Sequence, residues 1–120
     1  MSSMKKSGDL GEDMACELLN SKGYTIIDRN WHCRSGEIDI IAKIQNIWVF
    51  VEVKTRNTRH TSDAFNAITN KKRERLIKSA YQYIHELNLN EETQWRIDVI
   101  AIALRQTPFQ IVHVEDALDW

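Results

Sequence analysis

The stretch Gly36–Arg56, GEIDIIAKIQNIWVFVEVKTR, reads as two short apolar strands joined by a turn, with charges where a plain hairpin would not carry them. Asp39 lies inside the first strand, Glu52 and Lys54 inside the second, and Glu37 leads in. Side chains alternate along a strand, so Glu52 and Lys54 share one face while Val51 and Val53 share the other. The same rule groups Ile38, Ile40, Ala42 and Ile44 opposite Asp39, Ile41 and Lys43. The turn at Gln45-Asn46 has no glycine, and Asn is the residue there that tolerates a left-handed backbone. An unpaired charge is too costly to bury in a strand of Val, Ile and Phe. A carboxylate facing a carboxylate–lysine pair across a hairpin can hold a divalent metal and activate a water. The plainer reading is a structural ion pair, with Asp39 answering Lys54 or Arg56. An exposed Glu-x-Lys pair by itself is worth only ~0–1 kcal/mol.

Upstream, residues 8–22 carry Leu10, Met14, Ala15, Leu18 and Leu19 at helical spacing, with Ser7 as a cap and Gly23 as the stop. Gly11 falls in that apolar stripe, where a missing side chain lets another backbone approach. Glu12 sits at its edge, and a first-turn acid favoured by the helix dipole is its ordinary role. Residues 24–31 read as a strand. Downstream, TRNTRHTSD is a polar loop, and AFNAI a brief helical turn. Thr69 caps a helix over 70–88, with Leu76, Ile77, Ala80, Tyr83, Ile84 and Leu87 inward. Lys71, Lys72, Arg73, Arg75 and Lys78 make its first half strongly basic. Such a run is ordinarily a solvated face, but it is also the local surface that phosphate binding requires. Residues 95–104 read as a central strand, and FQIVHV as a last strand nearer an edge. Asp98, inside the central strand, is expected to be a structural partner of Arg96 or Arg34.

The resulting order, α-β-β-β-α-β-β, predicts an α/β fold with a central mixed β-sheet flanked by helices. The 120 residues suit a single domain over 1–120, with 1–6 a loose N-terminal tail. A hydrophobic content of 42% with 28% charged residues is that of a soluble globular protein. The net charge of −1 means that any basic surface must be local. Cys16 and Cys33 form no CxxC or Cys/His cluster, so neither zinc nor a disulfide framework is indicated. The polar start shows no signal peptide, and no segment reaches the ~20 apolar residues of a membrane span, so a cytoplasmic protein with no membrane partner is expected. The four histidines have no metal spacing, and neither a Walker loop nor a nucleophile elbow is present.

The segments GDLGEDMACELLNSKGY, RNWHCRSGEIDIIA, VFVEVKTR and RIDVIAI, with the lysine-bearing helix between the last two, resemble the YraN-like family of small uncharacterised bacterial proteins. The resemblance covers about residues 7 to 118. That family is assigned to the PD-(D/E)XK nuclease superfamily and is similar in core and motif to archaeal Holliday junction resolvases. The resemblance implies a restriction-endonuclease-like fold and a magnesium-dependent endonuclease site, with manganese as a substitute. By position it carries over Glu12 as the first-helix acid, Asp39 as the motif aspartate, and Glu52 and Lys54 as the ExK pair. Arg34, Glu37 and Lys72 also match family positions. Ile97 departs from the more frequent RFDV, and the hairpin turn lacks the family's usual glycine.

The expectations are therefore concrete. Asp39, Glu52 and Glu12 are the candidate metal ligands, and Lys54 completes the catalytic set by positioning water and stabilising charge on the phosphate. Arg34, Arg56, Lys71, Lys72 and Arg75 are the candidate contacts to nucleic acid, DNA in the first instance. The reaction would be phosphodiester hydrolysis, with branched DNA the substrate to try first, and a homodimer would suit symmetric cutting. The alternatives are a nucleic-acid-binding module that keeps the fold without cutting, and a small scaffold in a DNA-processing complex.

Overall fold

A computed structural model of the chain describes residues 6–117. The elements are α1 (Lys6–Ser21), β1 (Thr25–Cys33), β2 (Gly36–Ile44), β3 (Ile47–Arg56), α2 (Thr61–Asn66), α3 (Asn70–Glu86), β4 (Gln94–Ala103) and β5 (Gln110–Val114). One five-stranded sheet runs β1-β2-β3-β4-β5. Its first three strands are an antiparallel meander, β3 and β4 are parallel, and β5 returns antiparallel. The parallel step needs a crossover, which α2 and α3 provide. This is the expected mixed α/β architecture, with β5 at an edge; β3 of the hairpin holds the centre, and β4, expected there, is interior but one place from the edge.

Both faces of the sheet are covered. On one, Ala15 and Leu19 of α1 pack with Ala42, Val49, Val51, Ile100 and Ile102. On the other, Leu76, Ala80 and Tyr83 of α3 pack with Ile38, Ile41, Phe50 and Ile97. Double cover explains why β3 and β4 read as almost unbroken apolar runs. Among the described residues, no helix is long and apolar enough to cross a membrane.

The caps follow the local chemistry at two of three expected places. Gly23 adopts φ +92°. There the Tyr24 N–H donates to the Leu19 carbonyl at 3.0 Å and the Gly23 N–H to Asn20 at 3.1 Å, a Schellman closure. The Thr69 hydroxyl accepts from the Lys72 N–H at 3.1 Å. The expected Ser7 cap falls inside α1, which has already begun at Lys6. Of the expected tail, residues 1–5 lie outside the described residues.

Three packing expectations are corrected. Leu10 is 41% exposed, because the buried line of α1 is Gly11, Ala15 and Leu19, and Leu10 lies about 100° around the helix from it. Leu87 is exposed because α3 ends at Glu86 and leaves it as the cap. Ile38 packs with Ile41 on the α3 face rather than with Ile40, so the alternation of β2 breaks at Asp39. The hairpin turn places its left-handed residue at Gln45, φ +53°, not at Asn46.

Candidate functional site

The break at Asp39 builds the site. The β2–β3 ladder runs from Ile44↔Ile47 to Ile40↔Val51 and stops there. Beyond it, Asp39 Oδ2 accepts a hydrogen bond from the Val53 N–H at 2.8 Å. A side chain thus takes over where the main-chain ladder ends, and the carboxylate lies against β3 beside Glu52. The opening is a cleft of about 330 Å³ lined by Glu12, Glu37, Asp39, Glu52, Lys54, Thr55, Arg56 and Lys72, with Gly8 and Val53.

Glu52 is the most constrained group in the cleft. It is 3% exposed, directly after the buried run Val49-Phe50-Val51. Burial pushes its pKa up, and the neighbouring Asp39 carboxyl raises it further by charge and hydrogen bonding. Lys72 and Lys54 oppose the rise without cancelling it, and the pKa settles at about 8. The two carboxyls can hydrogen-bond to each other only while a proton is shared between them. As two anions neither can donate, and Glu52 Oε1 is then buried with no partner. Glu52 Oε2 is 3.6 Å from Lys72 Nζ.

Glu12 reaches the cleft from α1. It does so because Gly11 lets α1 lie directly on β3: a β-carbon at Gly11 would run into Thr55 Oγ1. What approaches the glycine is therefore a side chain, not the expected backbone. Burial raises the Glu12 pKa, as does the charge on Asp39, against hydrogen bonds from Asn30 and Arg29. Its Oε1 is 3.4 Å from Arg29 Nη2, which also reaches Asp13 at 3.1 Å. Asn30 holds a left-handed backbone, φ +53°, two residues past the irregularity between Ile26 and Asp28.

Glu12, Asp39, Glu52, Lys54, Arg56 and Lys72 thus share one cleft. Lys72 does so by turning inward onto Glu52, away from the exposed face where Lys71 and Arg75 remain. Arg34 is exposed on the β1–β2 turn, outside the cleft lining. Among the described residues, no group of three or more His, Cys, Asp or Glu side chains is arranged to hold a metal ion. The close carboxyl pair is Asp39–Glu52, and Glu12 stands off it, turned to Arg29. Arg29 and Thr55 were not singled out in the sequence, where no periodicity links Arg29 to Glu12 or Thr55 to Gly11.

A second carboxylate is buried in the middle of β4, where Asp98 lies beside Val51 of β3. Asp98 accepts from Arg96 Nε at 2.9 Å and from the Asp116 N–H at 2.9 Å, and lies 2.7 Å from His113 Nε2. Of the two arginines expected as its partner, Arg96 supplies the pair, and the role is structural.

Comparison with known proteins gives one consistent answer. Residues 11–102 match the family model described as Uncharacterised protein family UPF0102. A UPF0102 protein of Chloroflexus aurantiacus is 46% identical over 101 residues, 84% of this chain and 82% of the relative. One from Roseiflexus castenholzii is 43% identical, covering 93% of this chain and 92% of its own. A third, from Phocaeicola vulgatus, is 37% identical over 98% and 95% respectively.

Proposed function

The chain belongs to the uncharacterised protein family UPF0102, in keeping with the YraN-like resemblance, and on that premise we propose that it is a divalent-metal-dependent nuclease hydrolysing phosphodiester bonds in DNA. The observation that carries this reading is the Asp39–Glu52 pair: two carboxyls in contact, one almost fully buried, in an open cleft with lysines on either side. A structural ion pair would give each acid one lysine. Here two acids are pressed together: burial first, and the neighbouring Asp39 carboxyl with it, raise the pKa of Glu52 to about 8, and the crowded pair favours the approach of a cation.

The donors are all oxygens, which suits magnesium or manganese, and a cation would answer the unpartnered Oε1 of Glu52. Asp39 and Glu52 would hold it, and Glu12 would assist from α1, within the same cleft. A bound ion of this kind supplies Lewis-acid polarisation of the phosphate and a more acidic water. The chain's own groups do the rest. Lys54 places a positive charge where a phosphate oxygen gains negative charge. Lys72 balances Glu52, and Arg56 at the rim holds the substrate backbone. The Val53 N–H fixes Asp39 so that its carboxylate needs no reordering.

Cleavage of single-stranded, duplex, flap and four-way DNA with magnesium or manganese tests this reading. Glu52→Gln should lower the rate at least about a hundredfold. Cleavage that survives this substitution in clean protein overturns the assignment.

One observation favours a second reading, a nucleic-acid-binding module that does not cut: the absence, among the described residues, of a three-ligand group. Salt-sensitive DNA binding without metal-dependent cleavage would select it.

A further inference from the structure

The exposed side of α3 carries a feature that the cleft does not use. Lys71, Arg75, Lys78 and Tyr81 follow one another at i, i+4 and i, i+3 spacing, so their side chains are successive neighbours on one ridge. All four are exposed, and Tyr81 is the most exposed large hydrophobic residue described, at 60%. Glu74 flanks the ridge. At its far end, Tyr81 meets Trp95 of β4 edge-on, ring centroids 5.2 Å apart, and Trp95 is held from behind by Phe50 at 5.9 Å. Tyr81 and Trp95 wall a cleft of about 430 Å³ with Ile84, Leu89, Asn90 and Glu91 on its lining.

We infer that this aromatic cleft takes an unpaired nucleobase of a DNA strand whose backbone lies on the cationic ridge. Cations tracking a backbone, followed by an open aromatic face, is how single-stranded nucleic acid is held without regard to sequence. Either half alone would be ordinary. A solvated basic helix has no need of an exposed tyrosine beside a braced indole, and an apolar groove for a protein partner has no need of three cations leading into it. Glu91 and the side-chain NH2 of Asn90, whose Oδ1 already accepts from the Glu92 N–H and the Thr93 hydroxyl, supply polar groups for the edge of a base, and the Tyr81 ring offers the stacking surface. Tyr81 stands nine residues after Lys72, about 14 Å along the helix axis. That is about four nucleotides of stacked strand from the carboxyl cleft. The inference rests on reading the chain as a DNA-processing protein and deepens it: the preferred substrate has an unpaired strand beside the scissile phosphate, as a flap or fork does, rather than continuous duplex.

The test is binding without metal, so it does not depend on cleavage. Anisotropy of a labelled oligothymidylate and of a blunt duplex is measured in EDTA over a salt series. Tyr81→Ala should weaken oligothymidylate binding about tenfold, Tyr81→Phe should restore it, and duplex binding should not change. Lys78→Ala should lower the salt slope for the single strand by about 0.7. An unchanged affinity of Tyr81→Ala, or no DNA binding at all, overturns the inference. Tighter binding of an RNA strand of the same sequence overturns its assignment to DNA. Self-association abolished by Tyr81→Ala would instead make the patch an interface between copies. Loss of cleavage with this binding retained would fell the nuclease reading and leave the stacking site standing.

Discussion

Asp39 Oδ2 takes its hydrogen bond from the Val53 N–H, 2.8 Å away, at the point where the β2–β3 ladder has already ended. The relationship serves two ends at once. It satisfies a donor that β2 no longer reaches, and it fixes a carboxylate against Glu52. Structure and chemistry can therefore be separated by substitution. Asp39→Asn keeps an acceptor and should fold with nearly unchanged stability, whereas Asp39→Ala strands the Val53 donor and should cost about 1–3 kcal/mol. Both should lose any metal-dependent activity. Urea unfolding of the two variants makes the comparison; equal stabilities would mean the hydrogen bond is incidental.

Glu52 makes the metal-free protein less stable as pH rises. Its folded pKa of about 8 stands above the ordinary 4.5, so between those values the native state binds more protons than the unfolded state. Its contribution is therefore fully present below about 4.5 and is lost as pH climbs through 8, by up to about 1.4 kcal/mol per pH unit. Glu52→Gln has no such proton to release and should gain on the parent protein steadily from pH 5 to 8. Parallel unfolding profiles for the two proteins would contradict the account.

Lys72 lies 3.6 Å from Glu52 Oε2 and helps only when that carboxyl is charged. At pH 6 Glu52 holds its proton, so Lys72→Ala should be nearly silent. At pH 9 the same substitution removes a counter-charge from a buried carboxylate and should cost about 1–2 kcal/mol. Thermal unfolding at the two pH values decides it, and a larger loss at pH 6 would place the role of Lys72 elsewhere.

Gly11→Ala should destabilise, although alanine is the better helix former by about 1 kcal/mol. The added methyl meets Thr55 Oγ1, and overpacking of this kind costs about 1–3 kcal/mol. Because the contact is with one hydroxyl, Thr55→Ala should recover part of the loss in the double variant. A double-mutant cycle with no coupling would show that α1 accommodates the methyl by another route.

The buried Asp98 should set acid stability. Burial pushes its pKa up, but hydrogen bonds from His113, Arg96 and the Asp116 N–H outweigh this and hold it below the ordinary 3.8. Its stabilisation is present above that value and lost as pH falls through the lowered folded pKa. Asp98→Ala should cost about 1–3 kcal/mol by stranding the Asp116 N–H and the buried His113 ring, while Arg96 keeps Glu115 at 3.1 Å, and should flatten the acid limb of a stability–pH curve. Retention of that limb in the variant would point to another carboxylate.

Much of the candidate site was legible because it lies within one hairpin. A period of two and a run of Val, Ile and Phe were enough to make Asp39, Glu52 and Lys54 anomalous in a buried strand. The cap at Thr69 and the stop at Gly23 were legible for the same reason, since each depends on residues one turn away. Leu10 and Leu87 were misplaced because a helical stripe reveals a periodicity but not which edge of it faces the sheet. Periodicity and charge alone do not separate Lys72 from Lys71 and Arg75; the family resemblance marks its position, but its turn onto Glu52 shows only with α3 set against the sheet.

The amino-acid sequence alone determined the order of elements, the double-covered sheet and the presence of acids where the core should be apolar. These follow from local periodicity and from the cost of burying charge. Only the tertiary structure decided that Ile38 changes face, that Asp39 rather than β2 answers the Val53 N–H, and that Gly11 admits Thr55 while Arg29 turns to Glu12. Those relationships join groups far apart in the chain. Only packing fixes the distances between them, and on such distances the pKa of Glu52 and the shape of the cleft depend.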